Sequence, residues 1–283
     1  MNKNDYLWQL DFMVLLDVGE LLNSSRSDRS LFARRTIQLK DGSIRNAITG
    51  NAIKHVYVSY LHELITPKEK CDKCKLLSPM KNGKIKSPDK RFSASGNRVK
   101  ECSICDISGF MNAEKDNKLE KRKTVASFFW AIAKTDTRQE DVLPIRSSEY
   151  AMMIELDLHR IGFDDEKQVY VLDKEEIKKR IRIALKGVEN LLIRFGGTQT
   201  NANHLHIRGI SGIVTEKTHR MQRMTKFSPL NDNFVEENQK CSDVSYPISG
   251  IEDLHQLINK LTDEEYLDAM VERNMEFVRE HFA

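Results

Sequence analysis

The strongest constraint on the fold is a pair of CxxC motifs, Cys71 and Cys74 in CDKC and Cys102 and Cys105 in CSIC, in a stretch with little else to fold around. From position 68 to about 123, lysine, glycine, serine and proline dominate and apolar residues are few. Such a segment cannot order itself by burying hydrocarbon. Two thiolate pairs, each aimed by one tight turn, can instead close a tetrahedron around a single zinc ion. With every coordination position filled, that Zn2+ is expected to be structural. Four unrelated buried thiols are disfavoured by the polar flanks and by the same spacing occurring twice. Cys241 stands apart and reads as a core or surface thiol.

A metal clip requires reduced thiols. The segment MNKNDYLWQLDF lacks the basic start, apolar run and cleavage site of a secretory signal, and no segment is apolar enough to span a bilayer. A cytoplasmic protein with no membrane partner is expected, and in that compartment five cysteines point to metal before disulfides. Lysine and arginine (45) exceed aspartate and glutamate (42) by three, so the mean charge does not announce a polyanionic partner. Only the distribution of charge can.

On either side of the insert the chain has regular periodicity. Trp8, Leu10, Phe12, Val14 and Leu16 alternate as in a half-buried strand, and ARRTIQLKDGSIR reads as a hairpin turning at Asp41 and Gly42. Ala52, Val56, Tyr60 and Leu64, joined by Ile53, give a helix stopped by Pro67. TVASFFWAIA and EYAMMIELDL are strand-like, and the first is apolar on both faces, so Phe128, Phe129 and Trp130 are expected in the core. Asp173 is a natural N-cap for a second helix with the stripe Ile177, Ile181, Leu185, Val188 and Leu192, closed by Gly196 and Gly197. A last strand covers about His204 to Val214. His204 and His206 fall on one face of it and are expected to be surface histidines.

The order strand, helix, strand, strand, helix, strand predicts an α/β (α+β) fold with a ferredoxin-like, RRM-like palm. The expected organisation is 1–67 for the first part of the palm, 68–123 for the inserted zinc-binding finger module, 124–214 for the second part, and 215–283 for a thumb-like segment with an acidic C-terminal helix over 251–282.

Arg45, Asn46, Thr49, Gly50 and Asn51 cluster donors at the start of the first helix, where free backbone amides favour a phosphate. Lys54, His55, Ser59 and His62 continue along its polar face. A solvated helix face is the plain alternative. Lys81, Lys84, Lys86, Lys90, Arg91, Arg98 and Lys100 make the middle of the insert basic. No GKS or GKT follows Gly196 and Gly197, and a helix precedes them, so nucleotide hydrolysis is not supported.

The run IRNAITGNAIKHVYVSYL, then CDKC and CSICDISGF, SFFWAIA, YAMMIELDLHRIGF and FGGTQTNANHLHIRGISGIV resembles the backbone subunit of CRISPR Cascade surveillance complexes, in its DevR-like branch. The resemblance implies a palm with finger and thumb elements, and copies lined head to tail along one CRISPR RNA beside other Cascade subunits. It also implies presentation of that guide to a target DNA strand in antiviral defence. The RNA-contacting set it suggests is Arg34, Arg35, Arg45, Asn46, Thr49, Asn51, Lys54, His55, Gly196, Gly197, Arg220 and Arg223, the last two in a thumb with Met221 and Met224. No catalytic residues are expected. Two alternatives stay open: a backbone subunit that cuts target RNA with Asp28, since related complexes place an aspartate after the first strand, and a stand-alone zinc-containing regulatory nucleic-acid binder.

Overall fold

The computed structural model describes residues 8–18, 25–27, 30–33, 36–75, 98–112, 120–136, 148–195, 207–217, 226–242 and 244–282. The chain runs β1 (Gln9–Val18), β2 (Thr36–Gln38), β3 (Ile44–Ile48), α1 (Gly50–Leu64), α2 (Asp72–Lys75), α3 (Arg98–Glu101), α4 (Ser103–Ser108), β4 (Ala126–Phe128), β5 (Ala131–Asp136), β6 (Ser148–Leu156), α5 (Lys174–Ile193), β7 (Ile207–Lys217), α6 (Phe234–Lys240), β8 (Val244–Ile248), α7 (Ile251–Leu261) and α8 (Glu264–Phe282), with short two-stranded ladders and 3-10 turns between. The fold is mixed α/β around one antiparallel sheet of order β8-β7-β1-β6-β5-β3-β2, with β4 also on β6.

β1 is an interior strand of the sheet, paired from Leu10↔Leu156 to Val18↔Ser148 on one side and from Gln9↔Lys217 on the other. Leu10, Phe12, Val14, Leu16 and Val18 share the main core with α1 and α5. The sequence predicted a half-buried strand, but Met13 is also fully buried, in a second cluster with Ile213 and Phe234. The reason is α6, which lies in a region without clear periodicity and covers the opposite face of the sheet with Phe234 and Val235. β8, which the sequence did not reveal, adds an edge strand to β7. It is short, and Pro247 at an edge loses no ladder bond that matters.

The hairpin forms where expected: Gly42 takes φ +80°, and the Ser43 amide donates to the Asp41 carboxylate at 2.8 Å. α5 is also as read, with the Asp173 carboxylate accepting the Glu176 amide at 2.8 Å and Ile177, Ile181, Leu185, Val188 and Leu192 all buried. α1 forms over the expected span but is rotated. Its buried residues are Ile53, Val56, Tyr57, Val58 and Leu61, whereas Ala52, Tyr60 and Leu64 are half-buried. Tyr57 sets that rotation. Its ring fills the groove left by Gly187 of α5, where an added Cβ would lie 2.8 Å from it, and its hydroxyl donates to the Ala184 carbonyl at 3.2 Å.

The acidic region is two helices, not one. They break at Thr262 and Asp263, where the Asp263 carboxylate accepts the amides of Glu265 and Tyr266. Part of its charge is neutralised inside the chain: Lys178 is held by Glu264 and Asp268 together with Glu175 of α5, Lys174 by Glu272, and Arg182 by Glu264. α8 also closes over the start of β1, with Trp8 edge-on to Tyr266 at 5.8 Å.

The base of the insert joins this body through buried charge. Asp106 follows Cys105 directly and is wholly buried, with its carboxylate shared by Arg122 and, at 2.9 Å, Arg180 of α5. Arg180 also donates to the carbonyls of Val99 and Lys100, and Arg122 to those of Asp106, Phe163 and Arg160.

Two outcomes are expected from denaturation measurements. Asp106→Ala removes the buried carboxylate shared by two arginines, which keep only the more exposed Glu176 and Asp165, and should cost about 3–5 kcal/mol. Gly187→Val should cost about 1–3 kcal/mol by overpacking against Tyr57 and Leu61, even though valine is the better helix former. An unchanged urea midpoint in either variant contradicts the packing described.

Candidate functional site

Two features stand out around α1: the cysteine cluster at its carboxyl end and a polar turn at its amino end. Cys71 precedes α2, and Cys102 caps α4, so that each CxxC occupies one short helical turn. The Sγ atoms of Cys71, Cys74, Cys102 and Cys105 all lie within 4.8 Å of one another. Separations of 3.8 Å for Cys71–Cys105 and 3.6 Å for Cys74–Cys105 match the edge, about 3.8 Å, of a tetrahedron built on metal–sulfur bonds of about 2.3 Å. Without a cation the four cannot all ionise. Hydrogen bonding from Cys105 draws Cys71 down to about 6 and also lowers Cys102, while their interactions with Cys102 push Cys74 and Cys105 up. A divalent ion relieves that competition, and the arrangement could hold one. Cys241 is exposed and remote from this chemistry in sequence.

At the other end, β3 passes into α1 through Thr49, whose hydroxyl accepts the Ala52 amide at 3.3 Å. Gly50 is required here by contact: a Cβ on it would lie 2.0 Å from the Phe128 carbonyl oxygen. Asn46 lies on β3, Thr49 caps α1, and Asn51, Lys54 and His55 fall in its first turns. Arg45 separates from them, because successive residues of a strand leave it on opposite faces, and its guanidinium donates to Ser43 at 3.1 Å. Asn46 is buried, and its Oδ1 finds no donor among the described residues. Asn51 is exposed. Lys54 and His55 are half-buried and have no ion pair among the described residues. Burial lowers the pKa of both, and no carboxylate among the described residues opposes it.

The sequence missed what lies beside this turn. β4 and β5 are one strand along β6, interrupted by a bulge. From Phe128↔Ile154 to Ala133↔Tyr150 the first strand advances five residues and β6 four. The extra residue breaks alternation. Phe128 stays inward, its ring 5.0 Å from that of Tyr57, but Phe129 and Trp130 turn outward, 43% and 46% exposed. The expectation that all three aromatics belong to the core is therefore corrected for two of them.

Arg34, Arg35, Gly196, Gly197, Arg220 and Arg223 lie outside the described residues, as do Met221, Met224, Asp28, His204, His206 and most of the basic stretch of the insert. No helix among the described residues is long and apolar enough to cross a membrane.

The family model described as "CRISPR-associated negative auto-regulator DevR/Csa2" matches residues 30–143 and 142–239. No curated protein matches the chain. Among solved structures, a chain of the Csm3–Csm4 subcomplex of a type III-A CRISPR-Cas interference complex is similar at TM-score 0.41 and 15% identity, over 91% of this chain and 97% of that one. Csc2 of Thermofilum pendens is similar at 0.42 and 14%, over 97% and 90%. A chain of a CRISPR RNA-guided surveillance complex is similar at 0.46 and 11%, over 90% and 99%. The structural likenesses are loose, whereas the family match takes in the β2–β3 hairpin, α1, both cysteine pairs, α5 and β7. The chain belongs to the DevR/Csa2 family of CRISPR-associated proteins.

Proposed function

We propose that this protein is a non-catalytic backbone subunit that binds CRISPR RNA, lines up in copies along it, and holds it for pairing with a target DNA strand. The observation that carries this reading is the pair Lys54 and His55. Both are half-buried at a helix amino end with no carboxylate paired to them among the described residues. Desolvating the Lys54 ammonium without a partner is unfavourable unless a ligand supplies the anion, and a phosphodiester at a helix amino terminus does so, with His55, which burial keeps neutral near neutral pH, as a hydrogen-bonding neighbour. The strand order β7-β1-β6-β5, with α1 and α5 on one core, supports reading the body as a ferredoxin-like palm.

Zinc is the metal the donor set favours, since four thiolates in a tetrahedron leave no open position for chemistry. When bound, it supplies a crosslink between the two ends of the insert. Cys71, Cys74, Cys102 and Cys105 would hold it, and Asp106 passes the constraint on to α5. The non-catalytic reading is supported by the state of the acids: the carboxylate group Glu175, Glu264 and Asp268, which is close enough to share a cation, already surrounds the Lys178 ammonium. The regulatory role in the family's descriptive name is the competing reading, and a solitary regulator would not form rows on RNA.

Metal analysis of freshly purified, reduced protein should give one zinc per chain, and Cys105→Ser should abolish it and open residues 68–123 to protease while the sheet persists. Substoichiometric zinc in wild type contradicts the clip. Sedimentation with a guide-length single-stranded RNA should show multimers that dissolve as salt rises. Lys54→Ala should weaken binding to unrelated sequences alike and reduce the salt slope by about one. Monomers throughout, or magnesium-dependent cleavage of a paired target RNA, would overturn the proposal.

A further inference from the structure

The bulge between β4 and β5 is built at some cost, and what it displays is chemically specific. An uninterrupted strand would continue the inward–outward alternation from Phe128 and turn Trp130 toward the helices. The one-residue insertion instead places Ala131 inward and sends both Phe129 and Trp130 to solvent. Phe129 is tied by its backbone amide to the Met153 carbonyl at 3.1 Å, so the exposed rings sit on a fixed main chain.

Their position gives the rings a meaning. Ile48 pairs with Ala131, so one step further along the same register puts Trp130 abreast of Thr49, the residue that caps α1. Gly50, next in the chain, lies against the Phe128 and Phe129 backbone. Lys54 is the i+4 neighbour of Gly50 and leaves the helix on that side. Two exposed aromatic faces on the strand that faces the turn, and on the turn's own side Lys54 and the buried Asn46 Oδ1, neither with a partner among the described residues, thus flank the start of α1. Flat apolar rings next to a cation complement a strand that alternates flat bases with anionic phosphates.

Resting on the RNA-binding reading above, we propose that Phe129 and Trp130 form a stacking platform for unpaired bases of the bound RNA strand, with the phosphate beside the stacked base held by Lys54 and the α1 amino end. Stacking is tolerant of base identity, which suits a strand whose sequence differs from one guide to the next.

Tryptophan fluorescence reads this directly, because Trp8 is wholly buried and Trp130 is the exposed indole of the two in the chain. Titrating the full-length protein with a single-stranded RNA should quench emission in wild type and not in Trp130→Ala, whose remaining Trp8 signal also reports that the variant is folded. Affinity should fall by roughly 5- to 150-fold in Trp130→Ala with the salt slope unchanged, and Trp130→Phe should restore most of it. An abasic strand should bind wild type and Trp130→Ala equally. If RNA binds and Lys54→Ala weakens it, but Trp130→Ala binds as wild type without loss of quenching, the platform is wrong while the RNA reading stands. If Trp130→Ala leaves RNA affinity intact and abolishes self-association instead, the surface belongs to a second copy of the chain and the proposal falls. If no single strand binds at all, both readings fall.

Discussion

A carboxylate shut away from water has to be matched by positive charge or it will not stay ionised, and the structure is organised around one such group. Asp106 lies next to the last cysteine of the cluster and takes Arg122 from a neighbouring ladder and Arg180 from the middle of α5. Each arginine also donates to backbone carbonyls, at the ends of short helices too brief to cap themselves, and to a second, more exposed carboxylate, Asp165 for Arg122 and Glu176 for Arg180. The insert's base is therefore part of the core. Cys74, Cys102 and Cys105 pack with Ile104 and Ile107 against the same helices that cover the sheet. A metal at the cysteines and the long helix of the body then behave as one rigid piece.

That rigidity reaches the opposite end of α1. The helix is pinned at its middle by Tyr57 in the groove of Gly187, at its carboxyl end by the cysteine cluster, and at its amino end by the contact of Gly50 with Phe128. A polar turn held in this way is ordered before any ligand meets it. Preorganisation of that kind limits the entropy lost on binding, so that modest individual contacts suffice.

What could be read from the sequence depended on how local the deciding contacts are. α5 was legible because its cap, first-turn acids and stripe lie within twenty consecutive positions, and the cysteine cluster because thiol spacing carries its own geometry. α1 was legible in extent and misread in rotation, since VYVSYL is apolar nearly all round and the groove that selects Tyr57 is on another helix. The bulge was invisible for a related reason: in SFFWAIA no polar residue marks where alternation slips, and only the registry of β6 reveals it. The partners of Asp106 are 16 and 74 positions away, beyond any periodicity. β8 is only five residues long and carries a proline, so its alternating Val244, Tyr246 and Ile248 do not announce a strand.

The closure of α8 over Trp8 has a consequence for how the chain acquires its structure. β1 precedes its partners, and both its neighbour β7 and its cover arrive about two hundred residues or more later; the Trp8 amide meets Asn274 across a separation of 266 positions. Contacts of such span are costly in loop entropy, and they slow the approach to the folded state. During synthesis, β1 would leave the ribosome long before anything can pair with its β7 side. An apolar segment kept waiting in that way is a natural client for a chaperone, and its sticky face sets a premium on rapid completion of the chain.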